Sequence, residues 1–418
     1  MKQTTRWAAL HYRDFRLLWG SQFLSIVGSQ MTFTAVNWHV FNLLKGETQV
    51  VLGVSLDTGA LGLGTLGLVR ILPILFFALI GGAMADSRDR RKVMTVTQSI
   101  SAMCSFVLAG LALTGHDSLY AIYALTAAIA AAGAFDNPSR QALLPNLVPK
   151  VHLTNAISLG TLSWQLASIV GPTLAGVLLA RTNVGIIYAL DGFSFLVVMV
   201  AVLVMDYRSP LLSSNAGGIG LSAIREGIKF TFSTPIIAST MLLDFFATFF
   251  SSARTMLPIV ASDILKTSVE GYGLLATAQA AGAVLAGTVV SLRGEMRRQG
   301  WVLLISVIIY GVATALFGLT TNFALAYLFF ALTGAADTVS TVIRGTIRQL
   351  STPDHLRGRM IGVNMIFFMG GPQLGELEAG LVAAALGVPF AIVSGGIATV
   401  VLTLWVAWRY RVLRQYSS

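Results

Sequence analysis

The chain is poor in charge and nearly without cysteine. Only 11% of its 418 residues are charged, against about 25% in a soluble domain, so it cannot cover a water-facing surface. Its one cysteine, Cys104, excludes an internal disulfide and any multi-cysteine metal site. There is no Gly-rich phosphate loop ending in Lys-Ser/Thr, so ATP drive within this chain is not expected. The residues around Ser87 lack the flanking pattern of a hydrolase elbow. With no catalytic cluster in view, the chain reads as a non-enzyme with no cofactor and no metal. The N-terminal MKQTTRWAALHYRDF has no apolar core before a small-residue cleavage site, so no removable signal peptide is expected. Apolar runs such as FLVVMVAVLVM (195–205) do not alternate with polar residues, which argues against a barrel with alternating strands of about 10 residues.

What is present is apolar length. Hydrophobic residues make up 55% of the chain, and mean hydropathy is +0.76. A membrane-crossing helix needs about 20 apolar residues, and such stretches recur throughout. They predict an all-α polytopic membrane protein with spans near 16–40, 66–86, 93–114, 119–143, 156–180, 184–206, 236–260, 271–292, 300–320, 323–347, 359–385 and 389–409. Short turns such as LTGHDS (113–118) and LTTNF (319–323) separate them. The longest polar linker, 207–234, ends in GLSAIREGIKFTF, which reads as an amphipathic helix on the membrane face. It divides the chain into a six-span bundle at 1–206 and a second at 235–418. The stretch 48–64, TQVVLGVSLDTGALGLG, has no assigned role.

Charge placement sets an orientation. With the N-terminus in the cytoplasm, Arg13, Arg16, Arg88, Arg90, Arg91, Lys92, Lys150, Arg208, Arg348, Arg409 and Arg414 all fall inside, while the opposite loops hold little beyond Lys45, Arg181 and Lys266. Cytoplasmic loops concentrate Lys and Arg, so both termini are expected inside. The net charge of +10 is then topological, and nucleic acid is not an expected partner. The halves also echo each other. Arg140 precedes Pro149 by nine positions in SRQALLPNLVP, as Arg344 precedes Pro353 in IRGTIRQLSTP. Each is followed by a Gly-Pro pair, Gly171-Pro172 and Gly371-Pro372. Weak internal symmetry of this kind marks transporters built from repeats.

The loop GAMADSRDRR (82–91) resembles the signature between the second and third helices of the major facilitator superfamily. Gly82, Asp86, Arg90 and Arg91 match it. Ser87 and Asp89 depart, and Arg88 takes the displaced basic position. LASIVGPTLAGV (166–177) resembles the fifth-helix motif of drug-exporting members, through Gly171, Pro172 and Gly176, with Ala167 and Ala175 in place of glycines. FRLLWGSQFLSIVG, FDNPSRQALLPNLVP and PDHLRGRMIGV resemble the branch containing enterobactin exporters and related efflux proteins. Members often carry an Asp after the first-helix glycine, where this chain has Ser29. The resemblance implies two pseudo-symmetric six-helix bundles, a monomer, alternating access, and a gating role for the 82–91 loop. The other reading of that loop is a topological anchor.

Ionisable residues inside a membrane are costly and mark function by default. Asp136 and Arg140 share a helix face. They read as a local ion pair or, with Arg344 as the symmetry partner, as a cytoplasmic gate. Asp244 and Asp337 lie on the seventh and tenth spans, which line the cavity in the family architecture; they read as the proton or substrate carboxylates or, equally, as structurally hydrogen-bonded groups. Arg254 is ten residues after Asp244, about 15 Å along a helix, so it needs another partner. Of Glu376 and Glu378, two apart, only one can face a cavity. Arg70 is placed to snorkel, His39 reads as an interface residue, and Asp191 as a capping or packing group. Phe245, Phe246, Phe249 and Phe250 cluster by Asp244 and could hold a flat substrate or face lipid.

Together these features predict a bacterial inner-membrane secondary transporter. It would exchange protons for a small amphipathic molecule, drug-like or siderophore, while surrounded by membrane lipid. A lipid or lysophospholipid flippase and a non-transporting scaffold or sensor are the alternatives.

Overall fold

The computed structural model describes residues 8–51, 54–207, 228–251, 253–293 and 298–416. Among them are twelve principal helices: α1 Arg13–Leu44, α2 Thr58–Ser87, α3 Arg90–Thr114, α4 Leu119–Leu143, α5 Leu153–Arg181, α6 Val184–Val204, α7 Pro235–Phe250, α8 Val269–Arg293, α9 Gln299–Leu319, α10 Phe323–Leu350, α11 Asp354–Leu386 and α12 Val388–Arg409. Ten stretches are long and apolar enough to cross a membrane. The longest helices described, α1 and α11 at 32 and 33 residues, are not among the ten. Gln22, Gln30, Asn37 and His39 dilute the hydropathy of α1, as Glu376 and Glu378 dilute that of α11. The all-α architecture is the one the apolar runs predict.

Local sequence explains the ends. Ser118, Asn183 and Asn322 cap α4, α6 and α10 by accepting from backbone N–H groups in the first turn. Asp89 does the same for α3 through Arg91 N. Gly115, at φ 70°, ends α3 in the left-handed region that glycine tolerates.

The described residues fall into two compact units. The first lies within 1–39 and 69–218, the second within 40–68 and 219–418. The first has a core of Phe15, Leu18, Met94, Leu143, Leu159 and Val198. Helix α6 packs along α3, with Gly192 against the Phe106 ring. The core of the second includes Ile237, Leu243, Leu303, Ile343 and Ile347.

Residues 48–64 have a definite structure. β1 (Thr48–Val51) and β2 (Val54–Asp57) form an antiparallel hairpin, with Thr48 opposite Asp57. α2 starts directly after it, eight residues earlier than hydropathy predicts. Its first turns belong to the second unit and lie on α11. A Cβ at Gly64 would stand 2.7 Å from Gly380 Cα, so only paired glycines allow the approach. Small residues at such contacts let helix backbones pack closely.

The seventh span is interrupted. α7 stops at Phe250, and the chain resumes as a 3₁₀ turn at Arg254–Met256, one helical turn at Leu257–Ile259 and a π turn at Val260–Ile264. Ser251 turns its hydroxyl to Thr399 Oγ1 at 2.8 Å, and Pro258 has no N–H to continue the ladder. In the linker, residues 208–227 lie outside the described residues, and 228–233 are helical.

Candidate functional site

In the second unit, α7 and α10 bring four ionisable side chains together. Asp337, Thr341, Arg344 and Arg348 follow helical spacing on one face of α10, and Thr240 and Asp244 do so on α7. Asp244 Oδ1 lies 3.1 Å from Arg344 Nη2, and its Oδ2 lies 3.4 Å from Arg348 Nη2. Arg344 also reaches Asp337 Oδ1 at 3.4 Å and donates to Thr341 Oγ1 at 2.8 Å. Arg348 donates to Thr240 Oγ1 at 3.1 Å, to Thr240 O at 2.9 Å, and to Asn364. Two carboxylates balance two guanidiniums. The side chains of Arg344 and Asp244 are each 3% exposed, while that of Asp337 is 44% exposed. A buried charge must be paired and hydrogen-bonded to be tolerated; this cluster pairs its charges but leaves Asp244 Oδ1 and Arg344 Nε without a hydrogen bond, and only Asp337 is partly exposed.

Asp244, Asp337 and Arg344 are thus brought together, and both carboxylate partners of Arg344 belong to its own unit. Arg348, Thr240 and Asn364 are members that sequence reading missed. The four-residue step from Arg344 to Arg348 was the available signal. Arg254 does not bond Asp244; its charge neighbours are Glu376 and Tyr272. Glu376 is buried and Glu378 only partly so, so the two do point differently. Phe245 stacks on Phe249 at 5.3 Å and meets Phe367 edge-on at 6.0 Å.

The first unit holds a cavity of about 310 Å³. Gln22, Ser25, Ser29 and Phe33 line it from α1, Gln98 from α3, Asn137 and Arg140 from α4, and Trp164 from α5. Asp136 and Arg140 share the α4 face but are not an ion pair. Asp136 is buried and accepts from Thr97 Oγ1 at 3.0 Å and Gln98 Nε2 at 2.9 Å. Arg140 donates to Gln22 Oε1 and Asn137 Oδ1, both at 2.6 Å. The amides of Gln22 and Gln98 take each charge separately, so a carboxylate–guanidinium contact is not needed.

Three further residues are buried. Arg70 does not snorkel: it is buried, donates to Asn37 Oδ1 at 3.0 Å and lies over the Phe33 ring at 4.1 Å. His39 lies beside the turn that follows α3. It is buried, bonds Asp117, and has Nδ1 3.0 Å from Tyr188 Oη. Asp191 is fully buried against α1, where its Oδ1 accepts from Ser29 Oγ at 3.4 Å.

In the 82–91 loop, Gly82 lies in α2 with open space where a side chain would be, and Arg88 is exposed. The Asp86 side chain lies outside the described residues. Arg90 donates to Ala142 O at 2.9 Å. Arg91 donates to Val202 O, Leu203 O and Tyr207 O at 3.0, 3.0 and 2.8 Å. It thereby satisfies carbonyls that the end of α6 leaves open. In α5, Gly171, Pro172 and Gly176 are buried, and a Cβ at Gly171 would stand 3.0 Å from Val27 O of α1.

The transmembrane secretion effector family matches residues 4–417. The chain is a major facilitator superfamily transporter of that family. Enterobactin exporter EntS of Salmonella paratyphi A is 27% identical over 406 residues, covering 96% of this chain and 94% of the relative. EntS of Escherichia coli O81 is 27% identical over 382 residues, covering 91% and 88%. Solved structures share the fold. A bacterial homologue of the lysosomal transporter Spinster, inward-facing and unoccupied, superposes with a TM-score of 0.71 at 15% identity, covering 97% of each chain. A bacterial homologue of the iron transporter ferroportin gives 0.69 at 15%, covering 95% and 98%. These relatives and neighbours of the transporter are transporters, not enzymes.

Proposed function

We propose that this transporter exports a small amphipathic molecule bearing an acidic group, in exchange for protons, by alternating access. The observation that carries the substrate class is the first-unit cavity. Aromatic walls with a few placed polar groups suit a small organic ligand. Phe33, Trp164 and Phe195 supply the walls. Among the described residues, Arg140 has amide oxygens for partners and no carboxylate. A carboxylate or catecholate on the substrate would complete it with charge-assisted bonds. That favours a siderophore-like molecule over a lipophilic cation, in keeping with the names of the enterobactin-exporting relatives.

Coupling is assigned to the second-unit cluster. Asp337 is its open member, and protonating it would remove one of the two carboxylates that hold Arg344. Asp244 holds two arginines and serves to fix them. Gating is assigned to the 82–91 loop, with Gly82, Asp86, Arg88, Arg90 and Arg91, and to Asp136, Arg140 and Arg344. Arg254, Glu376 and Glu378 remain candidates for the path. The expected setting is the bacterial inner membrane, as a monomer with both termini in the cytoplasm.

The test uses acidified everted vesicles and a pH-sensitive dye. Enterobactin is expected to release lumenal protons, ethidium to release fewer, and Arg140→Gln to lose the enterobactin response. Asp337→Asn is expected to lose proton release with either probe. If enterobactin crosses at the same rate after the gradient is collapsed, exchange is refuted. Movement of a labelled lysophospholipid without proton flux would support the flippase instead.

A further inference from the structure

One buried carboxylate has no part in the sites above. Asp191 of α6 is 1% exposed. Its Oδ1 accepts from Ser29 Oγ of α1 and from Ser194 Oγ, each at 3.4 Å. The hydroxyls of Thr32 on α1 and Ser105 on α3 also act on it, though neither attains hydrogen-bond geometry. Gly28 makes room for it, since a Cβ there would stand 2.8 Å from Oδ1.

Among the described residues, no cation bonds this carboxylate. The titratable groups on the surrounding elements are otherwise engaged or distant. Tyr188 on α6 and His39 on α1 bond each other, and His39 bonds Asp117. Cys104 on α3 is buried as a free thiol. Arg90, Arg91 and Lys92 lie at the far end of α3, about 20 Å along the helix from Ser105. Arg181 is in the last turn of α5, and Arg13, Asp14 and Arg16 are in the opening turn of α1.

Isolating an ionised carboxylate from water without a cation is costly, and such a group neutralises instead. Hydroxyls suit that change because each can donate or accept by rotating. Ser29 donates to the ionised form, while the Ser194 proton rests on Asp191 O at 2.7 Å and reaches the carboxylate only by rotating. When the carboxyl carries its own proton, one hydroxyl turns and accepts it. The same side chains serve both states. Asp244 differs, because protonating it would leave two buried guanidiniums short of a partner. Ser29 supplies the route: it is exposed, lines the 310 Å³ cavity and bonds Asp191.

We propose that Asp191 is a proton-binding site of the first unit, and that Ser29 is the hydroxyl through which the proton passes between it and the cavity. In the loading step, a hydronium in the cavity gives a proton to Ser29 Oγ as Ser29 gives its own hydroxyl proton to Asp191 Oδ1. One O–H bond breaks and one forms at the serine, and water is left behind. Release is the reverse. The purpose of the site rests on the proton-exchange reading, but its existence does not.

The test therefore uses no substrate. The full chain in lipid nanodiscs is followed by infrared difference spectroscopy after a pH jump. A protonated-carboxyl band is expected to rise on acidification in wild type and to be lost in Asp191→Asn. Ser29→Ala keeps the carboxylate, so the band persists but its rise is expected to slow by about a hundredfold or more, the scale of a lost proton-transfer partner. It also serves as the informative variant if Asp191→Asn does not fold. Identical pH-difference spectra for wild type and Asp191→Asn would overturn the site. An unchanged rise in Ser29→Ala would overturn the route. A titrating Asp191 band with no exchange in vesicles would refute the coupling reading and leave the site standing.

Discussion

Replacing Asp244 and Arg344, singly and together, tests whether the α7–α10 cluster is held by charge balance. The native cluster has two carboxylates and two guanidiniums. Asp244→Leu leaves Arg344 and Arg348 sharing only Asp337, whose side chain is 44% exposed. Arg344→Leu leaves Asp244 and Asp337 with only Arg348. Either single change strands charge at a site where Arg344 and Asp244 are each 3% exposed, and breaking a buried pair costs about 3–5 kcal/mol. The double variant leaves Asp337 and Arg348, which cancel, and Arg348 keeps Thr240 and Asn364. It should therefore be more stable than either single variant, with a coupling well above the scatter of about 0.5 kcal/mol expected for independent sites. The assay is thermal unfolding of the purified chain in detergent. With 418 residues and an unfolding entropy of about 2.1 cal/mol/K per residue, each single change lowers the midpoint by about 3–6 °C. If the single effects simply add in the double variant, charge balance is not what holds the cluster and the reasoning fails.

Other perturbations read other parts of the molecule. Arg91→Ala opens two carbonyls at the end of α6 and that of Tyr207 beyond it, and is expected to cost about 1–3 kcal/mol, the range for bonds to a charged donor; Arg91→Lys should recover only part, measured by the same melt. Gly64→Val places a branched side chain against the backbone of α11 and should sharply reduce correctly folded protein in membranes, scored by monodisperse yield in gel filtration. Gly82→Ala is the control, because nothing lies within 4 Å of the new methyl group, and its yield should match wild type. Arg140→Gln should weaken enterobactin binding and lower the melting midpoint by about 3–7 °C, since the two bonds it removes come from a charged donor and contribute about 1.5–3 kcal/mol each.

Hydropathy made the helices legible because lipid imposes it on every span. The predicted spans at 93–114 and 184–206 agree closely with α3 and α6. It could not show that α2 begins at Thr58, because the small residues of TGALGLG are placed by the partner helix rather than by apolarity. The interruption after Phe250 was hidden for the opposite reason: the flanking residues are apolar enough to read as one span. In the sites, helical spacing placed Asp136 with Arg140 correctly on one face. It could not foresee that Gln22 and Gln98, remote in sequence, would satisfy them separately. His39, Asp117 and Tyr188 meet from three different segments, a contact that local spacing does not encode. Arg348 was legible in principle, since it continues the face of Asp337 and Arg344.

The hairpin after α1 has a consequence for how the chain is made. Residues 40–68 leave the ribosome early, but the second unit to which they belong is otherwise built from 219–418. The glycine face of α2 must therefore wait in the bilayer until α11, more than three hundred residues later, has been inserted. A fragment ending near residue 206 would carry that face with nothing to meet it. Synthesis of the two halves as separate polypeptides should thus succeed only when both are present in the same membrane.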